Sequence, residues 1–377
     1  MVNCEVDRYQ ADIVKLICGD SSPDGPDFKE KLVRTPVSKT YKGRAQHINA
    51  GSYAIVDNNR TLETMSSFSV RAMIWPTTPE RGVQCIIAKW NAQNKTGFAL
   101  IIADDGSLGL MLGDKSGRSQ TVSLGKKMLV RHWYMVAASW DSDKREVCLY
   151  QEPTREYANI VHGGLLRKKL ERCKFSSNTT PLTMAALLNK KKRGRIFCKN
   201  FYNGKIDSPM LFDRVLNRTE IESLSRPATP QGLSANVVAV WDFSCDISSI
   251  KITDLSSKQM HGKVVNMPAR GMTGSNWTGA ELCWRHAVQE YGAIHFHDDD
   301  LYDAEWDIDF ELKVPKRLKS GIYAARLRAD NAEEYIPFVV RPKPGAESKI
   351  AFILPTIHYM AYANEHLAFN APLAEVL

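Results

Sequence analysis

The chain contains no CxxC pair. Its eight cysteines (Cys4, Cys18, Cys85, Cys148, Cys173, Cys198, Cys245 and Cys283) are scattered, several of them inside apolar runs. This spacing speaks against a zinc ribbon or a disulfide framework and predicts buried free thiols in a reducing compartment. No apolar stretch approaches the length of a membrane-crossing helix, and residues 1–10 lack the basic start and apolar run of a secretory signal. A cytoplasmic location without membrane contact is therefore expected. There is no Gly-rich phosphate loop, no G-x-S-x-G elbow and no legible Cys-His nucleophile pair, so covalent hydrolase chemistry has no support. Aromatic residues are missing from the one strongly basic run, KKKRGR at 190–195. Without stacking side chains it reads as a solvated surface loop, and no nucleic-acid partner is expected.

What is present is an ordinary globular composition. With 377 residues, 44% hydrophobic and 24% charged, there is room for two or three cores. Residues 1–34 hold two or three strand-like segments, including ADIVKLIC at 11–18. From about Phe68 to Leu224 short β runs follow one another: FSVRAMIW, QCIIAKW, GFALIIADDGSLGLMLGD, YMVAASW and EVCLYQ, parted by Gly, Asp and Asn turns such as Asp104 to Gly106. That density predicts an all-β sandwich. In EWDIDFELKVP at 305–315, Trp306, Ile308, Phe310, Leu312 and Val314 alternate with charged residues, predicting a strand with one buried and one acidic face. KRLKSG, IYAARLRA and YIPFVVRP then read as a turn and two further strands. Tyr323 is expected to be a buried tyrosine bonded to backbone. His295 and His297 form an H-x-H pair beside Asp298 to Asp300, but no third ligand recurs, and an acidic turn next to a strand accounts for them more simply. After the linker RPKPGAES, residues 350–354 are apolar at every position, as in a strand covered on both faces of a parallel sheet. Ligands of such sheets bind beyond the carboxyl ends of the strands. The candidate pocket is therefore 356–366, with His358, Tyr359, Tyr362, Asn364, Glu365 and His366.

Two resemblances sharpen this picture. The order WYMVAASWD, VCLY, GKIDSPMLF and LNRTEIESL, from Trp133 to Leu224, resembles the laminin-G or concanavalin-like jelly roll. Domains of that kind bind glycans, often with calcium, or serve as subunit-docking modules. From end to end, the stretches ICGDSSPDGPDFKE, WDFS, HGKVVNMPARG, YGAIHFHDDD, DFELKVP, EEYIPFVVRP and YMAYANE are similar to the N,N-dimethylformamidase large (beta) subunit family. The resemblance implies an amidohydrolase that converts dimethylformamide, or a related small amide, to formate and dimethylamine. It implies one iron, Fe3+, held by two tyrosines and a glutamate, a separate small subunit and a homo-oligomer. The tyrosine of AYANE falls on Tyr362, one expected iron ligand. The other tyrosine and the glutamate are expected beyond Leu377, so the chain is read as the family's N-terminal half and as inactive alone. His358, Tyr359, Asn364 and Glu365 are expected to line the pocket, with no catalytic residue assigned.

The fold expected is mainly β. A β segment at 1–45 belongs to an immunoglobulin-like sandwich into which the jelly roll, 46–232, is inserted. A β region with immunoglobulin-like strands follows at 233–345. The start of an α/β, Rossmann-like catalytic domain occupies 346–377. The competing reading is a non-catalytic β-rich carbohydrate-binding or subunit-interaction module.

Overall fold

The structure, a computed structural model, describes residues 1–20, 22–171, 173–192, 194–224, 236–346 and 349–362. The chain divides into two compact units, one formed by Met1–Gln46 with Trp306–Leu377 and the other by His47–Glu305.

The smaller unit is one antiparallel sheet assembled from both ends of the chain. Its hub is the strand Arg8–Cys18. One edge of the hub pairs with Lys29–Val33 and Lys39–Lys42, the other with Gly321–Ala329, which is followed by the edge strand Ala332–Val340. Pro337 sits in that last strand, which has no ladder partner on its outer side among the described residues, a setting that tolerates proline. Alternation along the hub sends Tyr9, Ala11 and Ile13 into a core with Tyr323 and Ala325. Tyr323 is 2% exposed and its hydroxyl donates to the Lys319 carbonyl at 2.8 Å, as anticipated. The opposite face carries Asp12, which accepts from Arg328 at 3.0 Å and Arg326 at 3.4 Å, while Arg326 also pairs with Glu30.

Among the described residues this unit contains a single sheet. One expectation for it is corrected. The segment 305–315, expected to be a strand, joins no ladder. Phe310 and Leu312 do pack on the core, but Ile308 is 63% and Val314 48% exposed. The alternation fails because the Asp309 carboxylate turns inward, accepting from the Val2 amide at 2.6 Å and the Arg44 guanidinium at 2.6 Å. The Asp307 amide is taken by the Gln46 side chain at 2.7 Å rather than by a neighbouring strand. Side chains thus satisfy polar groups that a ladder would otherwise have paired.

In the larger unit one continuous 16-stranded antiparallel sheet, joined through Val237–Asp242 and Lys251–Asp254, folds into two layers that enclose one core. The centre of one layer is Tyr134–Asp141, Phe68–Pro76 and Gly204–Phe212, hydrogen-bonded in that order. Tyr134, Val136, Ala138 and Trp140 face the opposing layer, while Met135 and Ala137 pack on the other side. That outer side is covered by Leu216, Ile221 and Leu224 around the helix Arg218–Ser223. The helix starts where the Asn217 side chain accepts from the Glu220 amide and Glu220 returns the bond, a reciprocal cap. The second layer runs through Tyr53–Val56, Gln84–Asn91, Thr96–Ile102 and Leu108–Gly113. Its outer side is sheltered by the hairpin Leu187–Lys192 and Arg195–Lys199. Of the basic run, Lys190, Lys191 and Lys192 lie on one strand of this β-hairpin and Arg195 on the other, not in a free loop, and Gly194 is in the left-handed region. Residues 237–296, assigned on sequence to a separate β region, hydrogen-bond into this same sandwich.

Residues 350–355 form no strand: Ile350, Phe352 and Ile353 are 85%, 77% and 86% exposed. The parallel sheet expected to cover them on both faces is not formed by the described residues, and the Rossmann-like assignment is not carried by this part of the structure.

Candidate functional site

Pro355 begins the helix Thr356–Tyr362, since its carbonyl accepts from the amides of His358 at 2.9 Å and Tyr359 at 3.2 Å. Three of the candidate residues lie on it. His358 and Tyr362 are four apart and Tyr359 and Tyr362 three apart, so all three share neighbouring positions on one stretch of helix surface. None is buried; Tyr359 is 59% and Tyr362 65% exposed. Asn364, Glu365 and His366 lie outside the described residues. The helix thus presents phenol and imidazole groups outward, without side-chain hydrogen bonds to fix them among the described residues. Among the described residues no three His, Cys, Asp or Glu side chains converge to hold a metal ion.

The H-x-H pair is better defined. Trp75, Lys205 and His295 stand side by side on three hydrogen-bonded strands. Gly204 permits the close approach: its φ is 143°, and a Cβ there would lie 2.4 Å from the Trp75 carbonyl oxygen. The Lys205 ammonium sits 4.7 Å from the centre of the Trp75 ring and donates to Thr273 Oγ1 at 2.7 Å. The His295 ring meets the Trp75 ring edge-on at 6.0 Å and lies 4.0 Å from the His297 ring. His297 Nδ1 is 3.3 Å from Asp300 Oδ2, an oxygen that also accepts from Ser52 Oγ at 2.6 Å. Burial, with the positive charges of His297 and Lys205, pushes the His295 pKa down to about 4. The hydrogen bond to Asp300 and the neighbouring aspartates raise that of His297. The result is a neutral imidazole packed against a readily protonated one.

A third group escaped the sequence reading because its members come from separate loops. Trp75, Trp133, Trp277, Tyr157, Arg131 and Arg155 line one cleft of the sandwich. Arg131 has a φ of 60° and its amide donates to the Pro76 carbonyl at 2.7 Å, which ties its loop to the end of the Trp75 strand. His132 Nε2 lies 2.7 Å from the Tyr157 hydroxyl and fixes that ring. The sequence signals were Trp75, at the end of a β run, and Trp133, inside the run that resembled a jelly roll.

A family model described as "N,N-dimethylformamidase beta subunit-like, C-terminal" matches residues 269–370, and one described as "Concanavalin A-like lectin/glucanases superfamily" matches 49–222. The N,N-dimethylformamidase beta subunits of an Alcaligenes species and of Paracoccus aminophilus are each 34% identical over 98% of this chain. The chain is similar to the dimethylformamidase beta subunit. The chain spans about half the length of these curated relatives, 50% in each case. Among solved structures, the CBM40 of the Ruminococcus gnavus IT-sialidase, bound to α2,3-sialyllactose, aligns with 48% of this chain and 95% of its own. Its 14% identity and TM-score of 0.36 say nothing about ligands here. The dimethylformamidase resemblance and the mainly β, concanavalin-like sandwich seen in the sequence are both upheld.

Proposed function

We propose that this chain is part of the large subunit of an iron-dependent amidohydrolase that cleaves N,N-dimethylformamide, or a related small amide, together with a separate small subunit. The observation that carries this reading is the 34% identity to dimethylformamidase beta subunits over 98% of the chain. In the reaction, water adds to the amide carbonyl, the C–N bond breaks and the nitrogen takes a proton, so that formate and dimethylamine leave. Phenolate and carboxylate oxygens are hard donors suited to ferric iron, which polarises a carbonyl and acidifies bound water.

Tyr362 is the one member of the expected ligand set that maps onto this chain. Its exposed phenol is available as a donor, but a single oxygen does not hold a mononuclear metal, so the described residues do not make up the site. The 377 residues alone are expected to release no formate. His358, Tyr359, Asn364 and Glu365 are proposed to line the same pocket. The assembly is proposed to be cytoplasmic and homo-oligomeric.

The test is co-expression of the small subunit with a large subunit that carries this chain and has the full length of the curated relatives, followed by metal analysis and a formate assay on dimethylformamide. Iron in the assembled protein, lowered by Tyr362→Phe, supports the reading. A stable assembly that contains no iron, or that leaves dimethylformamide and other small amides intact, refutes it.

A further inference from the structure

The cleft in the larger unit has a composition that neither structural packing nor amide hydrolysis requires. Three of the chain's eight tryptophans meet there with Tyr157 and two arginines. Tyr157 is 44% and Trp277 42% exposed, although both are large apolar rings that packing alone would bury. Among the described residues the guanidiniums of Arg131 and Arg155 make no ion pair or hydrogen bond, and no carboxylate lines the cleft. Several arginines elsewhere on the same unit are matched to acids, as in Arg214 with Glu220 at 2.7 Å, Arg218 with Glu222 at 2.6 Å and Arg81 with Asp298 at 2.7 Å, and others, such as Arg71 and Arg270, donate to backbone carbonyls. A third cation, Lys205, is held beneath the Trp75 ring. Positive charge and aromatic walls are thus concentrated in one concave place.

The walls are also held in position. The Thr154 amide donates to the Trp133 carbonyl at 2.9 Å, and His132 fixes Tyr157. The loop carrying Trp277 is anchored by Gly274 to the Glu290 carbonyl at 2.7 Å and by Ser275 to Asp207 at 2.8 Å. A binding site is built this way: rigid aromatic surfaces with a few charged donors left to a ligand.

We propose that this cleft binds a small carboxylate carried on a ring. The ring lies against the indole and phenol faces, and the carboxylate accepts the fork of one or both guanidiniums, which match its two oxygens. A carboxylate is flat and singly charged, so it fits edge-on between aromatic walls. A phosphate is a bulkier dianion usually cradled by backbone amides, and the Gly274 amide in this lining is already bonded to Glu290. The ring is either a saccharide with C–H groups on its face or an aromatic one, and both present a face that stacks on tryptophan. The proposal is independent of the amidohydrolase reading, since no cleft residue belongs to the expected metal set.

The test uses the whole 377-residue chain, with calorimetry and intrinsic tryptophan fluorescence as readouts. Probes are glucuronate and benzoate, their neutral counterparts glucose and benzyl alcohol, and glucose 6-phosphate. Saturable binding of glucuronate or benzoate is expected, at least about tenfold tighter than its neutral counterpart. Which of the two binds identifies the ring as saccharide or aromatic. Arg155→Ala and Arg131→Ala are each expected to weaken binding about tenfold or more, Arg155→Lys to recover only part, and Trp277→Ala to reduce it, all without loss of the folded fluorescence spectrum. The exposed Lys115→Ala control should change nothing. Equal binding of acid and neutral probes, no saturable binding of either acid, unchanged affinity in both arginine variants, or tighter binding of the phosphate would each overturn the assignment.

Discussion

Acid titration of the His295 pair gives a prediction with a defined sign and window. His295 is packed against Trp75, Lys205 and His297, with Asp300 the one opposing charge, and its pKa falls from 6.5 to about 4. In the unfolded chain the same ring takes up a proton near its ordinary value of about 6.5. Between those values the unfolded state binds more protons, so stability falls as pH is lowered through this window. The full displacement corresponds to about 3 kcal/mol at about 1.4 kcal/mol per pKa unit. Because the ring is not wholly buried and water screens part of the effect, about 1 to 2 kcal/mol is expected between about pH 7 and about pH 5. His297 has the opposite sign: its raised pKa adds stability that is complete below about 6.5 and fades as pH rises through the folded value. The two therefore act on opposite sides of the same pH, and the His295 effect is isolated on the acid side. The assay is urea unfolding followed by tryptophan fluorescence at both pH values, for the native chain and His295→Gln. Gln carries no titrating group, so the variant should lose about 1 to 2 kcal/mol less on acidification than the native chain. Identical acid losses in the two proteins would refute the reasoning, and a larger loss in the variant would reverse it.

Three further outcomes follow from the packing. Trp241 Nε1 donates to the Met260 carbonyl at 2.7 Å, whereas Trp140 Nε1 is buried without a partner among the described residues. Trp241→Phe should therefore cost about 1 to 3 kcal/mol more than Trp140→Phe in denaturant unfolding, because only the first strands an acceptor. Asp309→Ala leaves the Val2 amide and the Arg44 guanidinium without their carboxylate. It should lower the stability of the smaller unit by about 2 to 4 kcal/mol, read as earlier proteolysis at residues 305–315. Asn217→Ala removes the reciprocal cap of the helix Arg218–Ser223 and should cost about 1 kcal/mol, while Asn217→Ser should recover most of it.

How much of the fold was legible depended on where each segment finds its partners. The run 134–140 was readable as a strand because β-branched, aromatic and small apolar residues occupy both faces, and both faces are covered. Tyr323 was readable because its acceptor, the Lys319 carbonyl, is only four residues away. The segment 305–315 has the most regular alternation in the chain and forms no strand. Its decisive contacts are with Val2, Arg44 and Gln46, more than two hundred and fifty residues away in the chain. A period-two pattern states which side chains want burial, but not whether a ladder partner exists for the backbone.

The candidate sites divide along the same line. Tyr362 was picked out by a motif carried on a few consecutive residues, and such a motif survives in the sequence whatever the local geometry; in the structure the phenol sits on a short, exposed helix. The aromatic cleft has no contiguous motif, because Trp75, Arg131 and Trp277 belong to three stretches that only the sandwich brings together. Its chemistry became visible only through what the arginines lack. A basic residue read along the chain has no partner to be counted, whereas two guanidiniums in a concave aromatic lining without a carboxylate are a charge imbalance that a ligand would offset. The two sites also differ in what would establish them. Tyr362 needs further donors before it can hold a metal, whereas every residue required of the cleft is already in place in the larger unit, so the cleft can be tested on this chain alone.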